Sequence, residues 1–454
     1  YLSISRKLII MAEQLPNWRA DFESLQHRLG KVVASGALTS LPAGRYLHWD
    51  QLKHRQPPRG LNHKDWWAAV KAARFPICKA LALVDLKGRP FTFCPVEPIL
   101  EMLHHIDSRL AGRIETSNSE INGPQRDRYL ISSLIEEAIT SSQLEGAATT
   151  RRVAADMIRS NRRPRGHDEQ MILNNYRAMS ALRTWRDEPL TPGRVLEIHR
   201  QITVETLEDA SAAGRLQRPD EERVYVQDNL TQDVLHRPPP AEFLPERLEQ
   251  LCQYANQILV GESFLHPVIH AIVLHFWLAW DHPFADGNGR TARALFYWKM
   301  LNSNYWLFEF ISISSILKGA PGQYKRAFLR TESDENDLTY FILHQLEVIT
   351  KAIKSLDAYL ERKAEEMRRA ESLLKTTVSL NHRQLALMAH ALRHPSAEYS
   401  ISSHQNSHDI AYATARSDLL ELVDLELIDQ SPGGRKPLRF FSPADLVDRI
   451  GERP

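Results

Sequence analysis

Cysteine is scarce in this chain. Its 454 residues hold three, Cys78, Cys94 and Cys252, at spacings that match no zinc-binding pair. An odd, sparse set argues against a disulfide-framed secreted scaffold and for a reducing compartment, so a cytoplasmic protein is expected. Net charge is nearly absent as well. Fifty-seven Lys and Arg face 56 Asp and Glu, a formal +1, and no global field draws the chain to nucleic acid or an acidic membrane. No apolar run is long enough to span a bilayer; the longest, Ala271–Trp280, is interrupted by His275. Tyr1–Ile10 carries Arg6 and Lys7 but neither the full apolar region nor the cleavage site of a secretory signal, and Met11 is a candidate start. Internal repeats and low-complexity runs are missing too. What remains is an ordinary globular composition, 43% hydrophobic and 25% charged, with a length that suggests about two to four domains.

The pattern along the chain is mainly helical. Residues 1–110 combine the segment Gln56-Pro57-Pro58-Arg59-Gly60 with a helix predicted over His63–Arg74, N-capped by Asn62. A hairpin follows, with Leu81–Leu86 and Phe91–Cys94 flanking Lys87-Gly88-Arg89-Pro90. From about Arg126 to Asp357 apolar residues recur at helical spacing, as in Tyr129, Leu134, Ile135, Ala138 and Ile139. Helix starts are marked by Asp168, by Thr191-Pro192 and by Asp337. The exception is a short hairpin, Val224-Tyr225-Val226 against Val234-Leu235-His236, turning through Asp228-Asn229. A highly charged helix, Asp357–Ser372, leads to a C-terminal unit.

One segment concentrates chemistry: His282-Pro283-Phe284-Ala285-Asp286-Gly287-Asn288-Gly289-Arg290-Thr291-Ala292-Arg293. Asp286 to Gly289 can bend the backbone so that successive N–H groups face one concavity, and the breaker-free run from Arg290 reads as a helix. A glycine-rich bend feeding a helix N-terminus is a phosphate site, because free N–H groups and the helix dipole point at the anion. Arg290 and Arg293 share a face and can both reach a polyphosphate. Asp286 is a hard oxygen ligand suited to Mg²⁺. His282 can exchange a proton near neutral pH. Phe284 reads as a core anchor for the loop. His266, His270 and His275, upstream on one helix, lack a Glu or Cys to complete a zinc set and are taken as structural.

This segment resembles the signature of the Fic family of protein adenylyltransferases, HPFx(D/E)GNGRxxR, at every defined position. The resemblance includes the helix from His266 to Asp281 and covers about Arg126–Ile353, roughly half the chain. The related Doc toxins, which phosphorylate, carry lysine where this chain has Gly289. The resemblance implies transfer of AMP from ATP to a Ser, Thr or Tyr hydroxyl of a target protein, with release of pyrophosphate. It makes His282 the base and Asp286 the Mg²⁺ ligand. Gly287, Asn288 and Gly289 would cradle the phosphates, the Asn288 side chain assisting. Arg290 would hold the β-phosphate and Arg293 the γ-phosphate. The hairpin at Val224, Tyr225 and Val226 lies where the family places a flap that pairs with an extended target strand.

Ser141-Ser142-Gln143-Leu144-Glu145-Gly146 closes the helix that starts near Arg126 and resembles the family's inhibitory motif, (S/T)xxxE(G/N), through Ser141, Glu145 and Gly146. The implied mechanism is a Glu145–Arg293 pair in the γ-phosphate position; in some relatives the same glutamate supports removal of AMP. The C-terminal unit reads helix (Arg383–Leu392), helix (Ser402–His408), helix (Ala411–Leu425), then a hairpin over Ile428–Phe441, an order that resembles a winged helix-turn-helix. DNA binding through Tyr412, Thr414 and Arg416 is the alternative reading, and eight Lys/Arg against ten Asp/Glu in residues 380–454 weigh against it. The expected fold is therefore mainly α: a Fic-type helical core with a hairpin flap, plus a C-terminal winged helix-turn-helix. The expected divisions are 1–110 (Fic-associated), 111–372 (Fic domain, inhibitory helix about 126–146) and 373–454. The expected partners are ATP and a protein hydroxyl, with self-modification, a homodimer and DNA as further candidates and no membrane.

Overall fold

A computed structural model describes residues 15–110, 123–223, 226–227, 234–258, 260–377, 380–394, 396–431 and 438–451. The chain divides into two compact units. One comprises Tyr1–Ile114 with Ser133–Ile353, the other Glu115–Ser132 with Lys354–Pro454.

The first unit opens with three short helices, α1 (Trp18–Leu25), α2 (Leu29–Ala34) and α3 (Trp49–Leu52), packed on α4 (His63–Arg74). Helix α4 begins where the sequence placed it. The Asn62 side chain accepts from Asp65 N, and Asp65 accepts from Asn62 N, a capping box that satisfies two otherwise orphaned donors. Its buried face, with Trp66, Trp67 and Val70, closes a small core around Trp18, Leu25 and Val32. The expected hairpin follows as β1 (Lys79–Val84) antiparallel to β2 (Pro90–Phe93). Cys78 and Cys94 form a disulfide across its base. The cysteine count by itself signals only a reducing compartment; the hairpin register sets these two thiols opposite each other, and Cys252 alone is free.

Helices α5 (Glu97–Leu110), α6 (Gly123–Leu144), α7 (Arg151–Arg159), α8 (His167–Leu182), α9 (Pro192–Thr203) and α10 (Leu244–Asn256) precede the central pair, α11 (Pro267–Asp281) and α12 (Asn288–Asn302). Thr191 caps α9 as expected, accepting from Arg194 N, with Pro192 in the first turn. Asp168 lies in the first turn of α8, and Gly166 holds the cap position. Helix α11 is buried from Val268 through Leu278 and apolar almost all round, the mark of a helix inside a core. Its histidines are structural, as expected: His266 pairs with Asp107 at 2.9 Å, His270 with the Tyr254 carbonyl at 2.9 Å, and His275 with the Tyr324 hydroxyl at 2.8 Å. Among the described residues no group of three His, Cys, Asp or Glu could hold a metal ion. Helices α13 (Ile313–Gly319), α14 (Pro321–Ser333) and the start of α15 (Thr339–Thr377) complete the layer. The charged stretch Asp357–Ser372 is not a separate helix but the continuation of α15.

The second unit carries the end of α15, then α16 (His382–Arg393), β5 (Glu398–Ser400), α17 (Ile401–His408), α18 (Tyr412–Asp424), β6 (Asp429–Gln430), β7 (Arg439–Phe441) and α19 (Leu446–Gly451). Strand order is β5–β7–β6, antiparallel throughout. Met388, Leu419, Leu422, Leu427 and Phe440 form its core. Strand β5 and helix α19 had no signal in the sequence. The expected turn at Gly433-Gly434 lies outside the described residues. No described helix is long and apolar enough to cross a membrane.

The disulfide carries a direct test. Alkylation of the unfolded, non-reduced protein should label one cysteine, Cys252, and all three only after reduction. Three labelled thiols without reductant would contradict the pairing.

Candidate active site

The site forms where α11 turns into α12. His282 ends α11 in the left-handed region, φ 46° and ψ 53°, a strained place for a residue with a side chain. Its N–H donates to the Leu278 carbonyl at 3.0 Å. Arg223 secures the same corner, donating to the carbonyls of His282 at 3.2 Å and Asp281 at 3.0 Å. Desolvation, followed by the charge of His236, pulls the His282 pKa down to about 4, against the raising effect of a bond to the Ala279 backbone and of nearby Glu145. The ring is therefore neutral near pH 7 and able to take a proton. His236, at the end of strand β4 (Val234–His236), bonds Glu332 at 3.0 Å and the Trp280 carbonyl at 2.6 Å. Burial lowers its pKa most strongly, but Glu332, the Trp280 carbonyl and Asp281 together make the net shift upward.

The bend is held from within. Phe284 is fully buried and stacks on His199 with centroids 3.7 Å apart. Gly287 is the N-cap of α12 at φ 81°, and a Cβ there would lie 2.6 Å from Thr203 Cγ2, so glycine is required on two counts. The helix starts at Asn288, two residues earlier than the pattern suggested. The N–H groups of Asn288 and Gly289 thus belong to the first turn, where no intrahelical partner exists. The Asn288 side chain faces the loop rather than the concavity: it accepts from Phe284 N at 2.9 Å and donates to the Phe284 carbonyl at 2.7 Å. His199, which the sequence did not flag, accepts from Gly214 N on Nδ1 and therefore donates from Nε2 to the Asp286 carbonyl at 2.9 Å. Desolvation holds its pKa down at about 4, which preserves that tautomer.

The two arginines diverge. Arg290 is buried, donating to Asp286 Oδ2 at 3.0 Å and to the Ile202 carbonyl at 3.2 Å, while its buried Nε has no protein partner. Desolvation lowers its pKa, opposed by Asp286. The Asp286 carboxylate is otherwise exposed. Arg293, 2% exposed, turns to α6: Nε donates to Ser141 Oγ at 2.9 Å, and Nη2 to the Ser141 carbonyl at 3.0 Å and Glu145 Oε1 at 2.8 Å. Desolvation opposes the charged form most strongly, but Glu145, Tyr324 and Glu137 together raise the pKa. The structure thus joins the two motifs that the sequence separates by about 150 residues. Gly289 makes the junction fit, since a Cβ there would lie 2.2 Å from Glu145 Oε1. Gly146, at φ +106°, turns the chain just past the end of α6, after Glu145.

Of the expected flap, β3 (Val226–Gln227) pairs antiparallel with β4, Val226 opposite His236. Val224 and Tyr225 lie outside the described residues.

Residues 189–300 match the profile of the Fic/DOC family, and the chain carries a Fic/DOC domain there. Among proteins of known name, it is 36% identical over 114 residues to protein adenylyltransferase Fic of Nematostella vectensis, covering 24% of this chain and 22% of that protein. Protein adenylyltransferase fic-1 of Caenorhabditis elegans is 28% identical over 185 residues, 40% of this chain and 33% of that protein. The chain thus spans a third or less of the length of these relatives. Among solved structures, a Fic family protein from Desulfovibrio desulfuricans G20 aligns over 76% of this chain and 96% of its own, at 18% identity and a TM-score of 0.48.

The buried histidines predict a pH response. His199, His282 and His344 are held near about 4, and His270 and His275 near about 3, against an ordinary 6.5. Between those values and 6.5 the unfolded chain binds more protons than the folded one, so stability falls as pH drops through that window. His236, the one described histidine with a raised pKa, and Asp281 work the other way. The melting temperature should therefore be lower at pH 5 than at pH 7. A flat or rising melting temperature on acidification across that interval would contradict the neutral, buried assignment.

Proposed function

We propose that this protein is an autoinhibited protein adenylyltransferase that transfers AMP from ATP to a Ser, Thr or Tyr hydroxyl of a target protein. The observation that carries the reading is the pairing of Arg293 with Glu145 at the N-terminus of α12, beside a neutral His282. The first-turn N–H groups of α12 receive the phosphates, Arg290 the β-phosphate and Arg293 the γ-phosphate. His282 takes the proton of the target hydroxyl through the ring nitrogen not bonded to Ala279. The hydroxyl oxygen then bonds the α-phosphorus as the bond to the β-phosphate oxygen breaks, and pyrophosphate leaves. Such a transfer needs mainly positioning and charge neutralisation, which this corner supplies. Asp286 suits Mg²⁺: its carboxylate is exposed, and a single carboxylate is enough where phosphate oxygens and water fill the other positions. When bound, the ion neutralises charge on the triphosphate and its leaving group. The β3–β4 hairpin, with Val224, Tyr225 and Val226, pairs with the target segment as an added strand.

In the resting state Glu145 takes the place of the γ-phosphate on Arg293, with Ser141 and Gly146 shaping the helix end. ATP then seats with its α-phosphate out of line. Self-modification, a homodimer, removal of AMP by the same site and a cytoplasmic location belong to this reading; the Cys78–Cys94 disulfide weighs against a strongly reducing surrounding. We divide the chain for function into 1–110, 111–372 and 373–454, and read the last as a winged helix-turn-helix. The order α16–β5–α17–α18–β6–β7 and the exposed Tyr412, Thr414 and Arg416 on α18 favour DNA as its alternative ligand. A gel-shift at two salt concentrations tests that alternative.

The deciding experiment is AMP incorporation by intact mass, on the protein itself and in lysate, with ATP and Mg²⁺. Glu145→Gly should raise it well above wild type, and Glu145→Gly with His282→Ala should abolish it while ATP still binds. Asp286→Ala should lower both activity and its dependence on Mg²⁺. A Glu145→Gly protein no more active than wild type would sink the autoinhibitory reading, and an active His282→Ala variant would sink the base.

A further inference from the structure

Helix α6 carries a buried acid that the reaction does not use. Glu137 is 2% exposed, eight residues before Glu145, which follows the last residue of the helix. Its carboxylate accepts from the Tyr297 hydroxyl at 2.9 Å, the Ser312 hydroxyl at 2.7 Å, the Ser314 N–H at 3.1 Å and the Ser314 hydroxyl. Four donors around one buried carboxylate make a site that fixes the position of the side chain. Tyr297 is one turn beyond Arg293 on α12, and its hydroxyl also accepts from Ile313 N at 2.9 Å. Thr140 adds a contact to Ser312 Oγ at 3.3 Å.

The pairs form a ladder. Glu137 meets Tyr297, Ser141 meets Arg293, and Glu145 meets the space above Gly289. Each step is four residues up α6 and four residues down α12, so the helices run antiparallel along this seam in one register. Sliding α6 by one turn would leave the Glu137 carboxylate without its four donors, and would also remove Glu145 from Arg293. Glu145 is partly exposed beside Arg293, where in the proposed reaction a triphosphate would compete for the guanidinium. Glu137 faces only protein, so nothing in the reaction competes for it.

We propose that Glu137 is the positioning residue of the inhibitory helix: its docking on Tyr297, Ser312 and Ser314 sets the register that holds Glu145 on Arg293. The inference rests on the autoinhibitory reading above. Loss of the Glu137 anchor loosens Glu145 without touching it, and so raises activity. A residue with a merely structural role would lower activity when replaced, which makes the direction of the change the diagnostic.

The test uses the full chain and measures AMP incorporation for Glu137→Gln beside wild type, Glu145→Gly and the Glu137→Gln/Glu145→Gly double variant, each checked for a cooperative melt. Glutamine keeps the size but turns one acceptor into a donor facing donors. Glu137→Gln should raise incorporation roughly tenfold over wild type, equivalent to about 1.4 kcal/mol of lost docking. The double variant should match Glu145→Gly, since a detached helix has nothing further to release. Ser314→Ala removes one donor from the other side and should raise incorporation by a smaller factor; it decides the question if Glu137→Gln does not fold. A folded Glu137→Gln, or in its place a folded Ser314→Ala, with incorporation at or below wild type while Glu145→Gly is raised would overturn the proposal alone. If Glu145→Gly is not raised either, the autoinhibitory reading itself fails and this inference falls with it.

Discussion

A guanidinium buried to 2% exposure must be answered by acceptors, and the site is organised around how Arg293 meets that demand. Its partners include the Ser141 hydroxyl and carbonyl on α6 and the Glu145 carboxylate just past the end of that helix. Removing one member of a buried pair costs about 3–5 kcal/mol, and the partial exposure of Glu145 places this pair toward the lower end. The same donors suit a phosphate oxygen equally well. Under the proposed function one cation would serve two acceptors that cannot both be present, and inhibition would follow from their competition without any moving lid. Behind Arg293, Tyr324 bonds His275 and extends the buried polar network into the core.

The second constraint is the shape of the bend. A histidine in the left-handed region, a glycine that neighbouring Thr203 would not let be anything else, and an asparagine tied to the Phe284 backbone fix the loop before any ligand arrives. His199 and Arg223 reach it through backbone carbonyls of Asp286, His282 and Asp281. Preorganised N–H groups at a helix start need no reorganisation when charge arrives, which is where most of the benefit of such sites lies.

Much of this was legible in the chain. The twelve-residue segment holds base, carboxylate, glycines and arginines together, so local chemistry alone pointed to a phosphate site. The caps at Asn62 and Thr191 are side chain to backbone bonds within one turn, which a sequence displays directly. His199, Arg223 and Glu137 were not legible, because their partners are distant in sequence or are backbone atoms that carry no residue identity. The Cys78–Cys94 disulfide depends on hairpin register, which spacing alone leaves open. The charged stretch after Asp357 looked like a separate helix because its apolar face thins out, yet no breaker interrupts it and α15 runs on to Thr377. Asn288 was expected to help cradle phosphate; only the fold shows both ends of its amide engaged with Phe284.

The central claim is that Glu145 occupies on Arg293 the place of a γ-phosphate. Equilibrium binding of ATP and ADP to the wild-type protein and to Glu145→Gly, measured by calorimetry with Mg²⁺ present, tests it without relying on turnover. The account predicts that wild type binds the two nucleotides about equally, because its γ-phosphate seat is taken. The variant should prefer ATP by on the order of tenfold, the worth of one charge-assisted bond gained. A wild-type protein that already prefers ATP by the same factor as the variant would show that Arg293 is available throughout, and would contradict the account.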